Sequence, residues 1–188
     1  MSIHSSISRI LLLSVCILAA VKLSAQHYIP ADEGSKVQFK IVNHLIFSTT
    51  VNGYFKGLKG DIKFDPKDLK SAAIEATVAV KTISTGIDKR DKDLQAEKYF
   101  NTDKYPAIHI SSTSITATDK PDTYQLLGSL TIKGITKKIA FPFTATMSNG
   151  GCLFKATFTI NRKDFQVGPD NAIDDKLTVV LAILGHKQ

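Results

Sequence analysis

The chain has 188 residues, 43% of them hydrophobic and 22% charged, with 24 Lys and Arg against 17 Asp and Glu, a formal +7. That length suits a single domain with a real core. The lysines are scattered singly and no aromatic residues interleave with the arginines, which argues against nucleic-acid binding; transient contact with an anionic membrane surface is allowed.

Arg9 precedes an apolar run over residues 10–21 that is too short to span a bilayer comfortably. This is the pattern of a secretory signal peptide over residues 1–25, with Ser24 and Ala25 ahead of a cleavage point before Gln26. An uncleaved N-terminal anchor is the alternative. Cys16 only faintly resembles a lipoprotein acceptor, because Val15 is bulky and the apolar run continues past the cysteine. A periplasmic or secreted domain over residues 26–188 is therefore expected. Loss of Arg9 and Lys22 leaves 22 of the 24 basic residues against 17 acidic ones, a formal +5. Cys152 is then the only thiol, so no internal disulfide can form, and a small buried hydrophobe is its expected role.

From Gln26 onward the pattern is strand, turn, strand. Val37, Phe39 and Ile41 alternate with Lys36, Gln38 and Lys40, the period of two expected of a strand with one wet face. Residues 51–55 and 60–64 follow, then a turn at Asp65, Pro66, Lys67 and Asp68, then Ile74, Ala76, Val78 and Val80 on one face. Thr85 and Gly86 break this strand, and residues 82–106 form a charged insertion, helical around residues 86–100, in which Leu94, Tyr99 and Phe100 are apolar points able to pack downward. Alternation resumes with Ile108 and Ile110, and again with Leu126, Gly128, Leu130 and Ile132. A tight turn at Lys133 and Gly134 leads to Ile139, Phe141 and Phe143, with Pro142 pointing to an edge or bulge. Asn149 and Gly150 signal a hairpin into Phe154, Ala156, Phe158 and Ile160, and the last strand carries Leu177, Val179, Leu181 and Ile183.

About eight strands joined by short turns predict an all-β fold, an eight-stranded antiparallel barrel, because a sheet of this size protects its edges best by closing. The inward parity is apolar and includes the small residues Ala76, Gly128 and Ala156, which favours a ligand cavity over a solid core. The expected wall is Phe39, Ile41, Phe55, Ile74, Val78, Ile108, Ile110, Leu126, Leu130, Phe141, Phe143, Phe154 and Phe158. Arg90, Asp91, Leu94, Tyr99, Phe100 and Arg162 form the expected lid or polar mouth.

No catalytic apparatus is visible. There is no GxSxG elbow and no phosphate-cradling Gly-rich loop, and His27, His44, His109 and His186 lack metal spacing. Asp170, Asp174 and Asp175 lack regular calcium-ligand spacing and read as turn residues. No cofactor, metal or catalytic residue is expected. Arg162 continues the inward parity of Phe158 and Ile160, so its guanidinium needs a partner: either an acid such as Asp91 or Asp164, or the polar head of a ligand. Arg90 and Asp91 pose the same choice.

The segments SKVQFKIVN, VNGYFKGLKGDIKFDP, TISTGIDKRDKDL, YFNTDKYPAIHISST, LLGSLTIKGITKKIAF and INRKDF together resemble the YceI-like family of secreted, lipid-binding, lipocalin-like barrels over residues 35–184. The resemblance implies a tunnel holding a polyisoprenoid or fatty-acid derivative, and it is compatible with a homodimer. By similarity Thr85, Gly86, Arg90, Asp91, Tyr99, Phe100, Tyr105, Pro106, Gly128, Gly134 and Arg162 occupy motif positions. Two residues depart from the pattern: Asp93, where many relatives have His before Leu94, and Gln166, where they have Gly after Phe165. The expected function is non-enzymatic binding, carriage or sequestration of a long-chain lipid. At roughly 0.8 kcal/mol per buried methylene, against an association cost of about 4 kcal/mol or more, micromolar binding needs roughly fifteen carbons. The rival is a periplasmic stress-associated interaction protein that uses the barrel as a scaffold.

Overall fold

The computed structural model describes residues 26–44, 47–170 and 172–188. The expected signal peptide, with Cys16 inside it, lies outside the described residues. Among those that are described, no helix is long and apolar enough to cross a membrane.

The strands are β1 (Gln26–Pro30), β2 (Lys36–Asn43), β3 (Thr49–Phe64), β4 (Ala73–Ser84), β5 (Ala107–Ala117), β6 (Thr123–Ile132), β7 (Ile135–Ser148), β8 (Gly151–Asn161) and β9 (Lys176–Lys187). One helix, α1 (Asp88–Gln95), lies between β4 and β5, and a 3-10 turn at Arg162–Phe165 follows β8. The sheet is antiparallel and closed, since β3 pairs with β2 and with β4. The barrel has eight staves because β1 and β2 share one slot between β3 and β9. β1 pairs with the far stretches of those strands, at Ile62 and Gly185, and β2 with the near ones, at Phe55 and Ala182. Residues 31–35 loop out between them. There the carboxylate of Asp32 accepts the backbone N–H groups of Gly57 and Leu58, each at 2.8 Å, where the β3–β4 register is irregular.

The alternation in sequence becomes alternation in burial. In β6, Tyr124, Leu126, Gly128, Leu130 and Ile132 are buried while their neighbours are half-buried or exposed. Gly128 has a different role from the one its parity suggests. A Cβ there would lie 2.3 Å from the carbonyl oxygen of Ser111, beside a bulge in β5, so glycine permits a close strand approach instead of widening the interior. Lys133 and Gly134 both take positive φ, 52° and 74°, the geometry that suits a two-residue hairpin. The β7–β8 ladder stops at the pair Phe143 and Ala156, immediately before Pro142, which has no N–H to extend a ladder. Beyond that point the rings of Phe141 and Phe158 stack across the seam, 4.0 Å apart at their centroids.

Aromatic residues plug the end of the barrel that holds the β7–β8 hairpin. Phe64, fully buried, meets Tyr124, Phe143 and Phe154 edge-on at 4.9, 6.0 and 5.5 Å between centroids. Cys152 is fully buried beside them, and burial pushes its thiol up to about 12. Burial also raises the Tyr28 and Tyr124 phenols. Each group keeps a proton when folded that it loses more readily when unfolded. Stability therefore falls as pH rises from about 9 toward 12, by roughly 1 kcal/mol per pH unit for the thiol. Denaturant midpoints measured across that range are expected to decline, and Cys152 to react with a thiol reagent only on unfolding. A flat midpoint together with fast native labelling would contradict this packing.

Candidate functional site

Inside the staves, on the side away from the aromatic plug, lies an apolar cavity of about 260 Å³. The parity-derived wall residues all face it: Phe39, Ile41, Phe55, Ile74, Val78, Ile108, Ile110, Leu126, Leu130, Phe141, Phe143, Phe154 and Phe158. Leu177, Val179, Leu181 and Ile183 of β9 line it too; they share one face in the sequence, and the same parity rule reaches them. Phe165, Val167 and Ile173 also contribute, from non-repetitive segments where no periodicity marks them. The interior is hollow on this side. The inward residues of β2 and β9 up to Ile183 are only half-buried although the sheet surrounds them, because they border empty space. Gly53 helps to keep it open: a Cβ there would lie 2.2 Å from the ring of Phe39, which rests over the bare Cα.

Two irregular segments cover the mouth. In the first, Thr85 fastens α1. Asp91 Oδ1 accepts from the Thr85 N–H at 2.8 Å and from its hydroxyl, while Arg90 donates through Nε to Thr85 Oγ1 at 2.7 Å and through Nη2 to Thr85 O at 2.9 Å. Arg90, Leu94, Tyr99 and Phe100 reach the cavity wall, and Asp91 does not. Phe100 meets Phe55 edge-on at 5.9 Å.

The second segment, residues 166–175, is organised by Arg162. Its buried guanidinium donates to the carbonyls of Asp174, Val167, Pro169 and Ile173 at 2.9–3.1 Å, and it pairs with Asp175 at 3.2 Å. The required acid is thus Asp175, with neither Asp91 nor Asp164 in contact. Lys163 pairs with Asp170, and His44 binds Asp174 at 2.8 Å, so the three aspartates weighed as a calcium site face three different partner side chains. Among the described residues no cluster of His, Cys, Asp or Glu is placed to hold a metal. The Gly168 N–H donates to Lys98 O at 3.0 Å and joins the two covers. His27 and His109 pair with Asp61 and Glu75 and do not line the cavity.

The two departures from the family pattern also find their places. Asp93 is exposed on α1 and absent from the cavity wall. Gln166 caps the 3-10 turn in the left-handed region, φ 53° and ψ 39°, which explains a glycine at this position on backbone grounds.

The YceI-like domain matches residues 28–184. The chain belongs to the YceI-like domain family. A UPF0312 protein of Shewanella putrefaciens is 31% identical over 167 residues, covering 85% of this chain and 86% of its own. One from Pseudomonas fluorescens is 32% identical over 161 residues, covering 79% and 80%. Two solved structures share the YceI-like fold. BcnA of Burkholderia cenocepacia has a TM-score of 0.74 at 22% identity, covering 81% of this chain and 96% of that one. A polyisoprenoid binding domain from Saccharophagus degradans has a TM-score of 0.71 at 14% identity, covering 87% and 99%.

Two stability measurements follow from the YceI-like mouth. Arg162→Ala should cost roughly 3–5 kcal/mol, because it leaves several loop carbonyls and Asp175 without their shared cation, and hydrogen exchange should accelerate first in residues 166–175. Gln166→Gly should stabilise the protein by about 0.5–1 kcal/mol by relieving the left-handed backbone. A loss of stability on that change would refute the backbone account.

Proposed function

We propose that this protein is an exported, non-enzymatic carrier or sequestering protein for a long-chain lipid, held with its chain along the barrel interior. The observation that carries the reading is the hollow itself: a closed barrel whose inward residues are apolar and only half-buried along β2 and β9. Such surface is costly to leave against water, and an acyl or prenyl chain would cover it. The fold shared with a polyisoprenoid binding domain supports the same ligand class. At about 260 Å³ the cavity sits near the lower edge of ligand pockets, roughly 300 Å³, which favours one slender chain over a bulky body. The signal peptide read from residues 1–25 supports a periplasmic or secreted location.

Native mass spectrometry of protein purified without refolding should show a lipid adduct released on denaturation. A clean apo mass, with no uptake of octadecanoate or a C20 prenyl compound, would sink the proposal. Phe158→Trp enlarges one ring of the Phe141–Phe158 stack and should displace about two methylenes of ligand, weakening long-chain binding roughly tenfold. Unchanged affinity in a folded variant would remove Phe158 from the chain's path.

A further inference from the structure

The stave shared by β1 and β2 is incomplete. Along β3 the last pair with β1 is Ile62 with Tyr28 and the first with β2 is Phe55 with Val37, so among the described residues no strand pairs with residues 56–61 of β3 on that side. Along β9 the corresponding pairs are Gly185 with Pro30 and Ala182 with Lys36, and only residues 183 and 184 lie between them. The gap is a wedge, wide at β3 and narrow at β9, and the loop over residues 31–35 spans it. On the narrow side the loop is tied twice to Leu184: the Ala31 N–H donates to Leu184 O at 3.2 Å, and the Leu184 N–H donates to Ser35 Oγ at 2.9 Å. On the wide side it is held by exposed Asp32, whose two carboxylate oxygens accept the Gly57 and Leu58 N–H groups at 2.8 Å each. A second cavity, of about 340 Å³, lies against this loop, and Val37, Gln38, Phe55 and Leu58 line both it and the apolar cavity inside the barrel. One layer of side chains separates the two spaces.

We infer that the 31–35 loop is a shutter over a side entrance to the barrel, hinged on Leu184 and latched by Asp32, and that the lipid chain enters and leaves beneath it. This rests on the lipid reading of the cavity and concerns how that cavity is loaded. The other route, through the mouth, is tied more firmly. Opening it would disturb a buried guanidinium that holds four carbonyls and Asp175, the Thr85 clasp on α1, and the Gly168 to Lys98 bond between the two covers. Stripping partners from a buried cation is expensive. Lifting the side loop breaks two hydrogen bonds to a single exposed carboxylate, and water can replace both. Val37, Phe55 and Leu58 keep the path from the outer space to the inner one largely apolar, as an acyl or prenyl chain requires. Val37 and Phe55 are only half-buried and border the hollow, so they have room to turn aside.

The test follows cis-parinaric acid, a long-chain fatty acid that fluoresces when bound, into and out of delipidated protein by stopped flow. Asp32→Ala removes the latch. Association and dissociation rates should both rise about tenfold or more, the factor for one lost hydrogen bond to a charged group, while Kd stays within about twofold, because a route sets the barrier and not the end states. Lys56→Cys serves the opposite purpose, since Lys56 lines the outer cavity and not the inner one. Coupling a bulky maleimide to the new thiol should slow both rates by a comparable factor, and the fully buried Cys152 is out of the reagent's reach. Rates unchanged by the adduct overturn the inference, since the chain then passes through the mouth, and this arm decides alone where D32A fails to fold. A folded D32A with unchanged rates overturns it too, as does one in which only dissociation quickens and Kd moves with it, because Asp32 then supports the site and not its entrance. Failure of cis-parinaric acid to bind the unmodified protein overturns the lipid reading itself and this inference with it.

Discussion

Because β3 pairs with both β2 and β4, the sheet has no free end, and every residue of inward parity must share one space with its counterparts on the other staves. Closure therefore turns a local property, alternation along a strand, into a global one, the content of the interior. The two ends meet this constraint differently. Toward the β7–β8 hairpin, Phe64, Tyr124, Phe143 and Phe154 fill the section, with Phe64 edge-on to the other three rings. Toward the mouth the inward residues are mostly aliphatic, Gly53 lets Phe39 lie back, and the section is left unfilled.

The mouth could not be closed by strands, because strand ends leave backbone groups that need partners. Arg162 meets this need for the stretch after β8. It sits at the end of an inward-facing row, where a solitary guanidinium would be expensive, and carbonyls from a loop with no regular hydrogen bonding surround it. The loop and the cation each supply what the other lacks. β2 is drawn into the same arrangement, since the His44 N–H donates to Ala172 O at 2.6 Å and the Asp174 N–H to Val42 O at 2.9 Å. The cover over residues 85–106 is held independently, through Thr85, and touches the loop at Gly168.

Alternation made the wall legible in the sequence, since a period of two assigns each side chain to a face before any partner strand is known. The insertion was legible for the opposite reason: residues 82–106 break that period and carry a separate apolar set. What stayed hidden depends on contacts between distant segments. Gln26–Pro30 is too short to announce that it shares a stave with β2. Asp175 became the partner of Arg162 only through the path of the intervening loop, and nothing in its spacing favoured it over Asp164. Gly128 was read as interior space because its parity is inward, yet the approach of β5 requires it. The aromatic plug escaped as well: Phe143 and Phe154 line the hollow and also belong to the plug, and only the ring contacts of Phe64 and Tyr124 show where the hollow stops.

A hollow of this kind has an energetic consequence for the whole barrel. Side chains bordering empty space forgo dispersion contacts on one side, so the mouth half contributes less to stability than an equal length of packed sheet. The deficit is offset by continuous ladders, β8–β9 running eleven pairs from Gly151 to Asn161, and by the aromatic end. Anything that fills the space returns contacts that the empty barrel lacks, and it stabilises the folded state in proportion to the logarithm of its concentration over its dissociation constant. Stability and occupancy are thus coupled by the same half-buried rows, those of β2 and β9, that distinguish the mouth half from the plug.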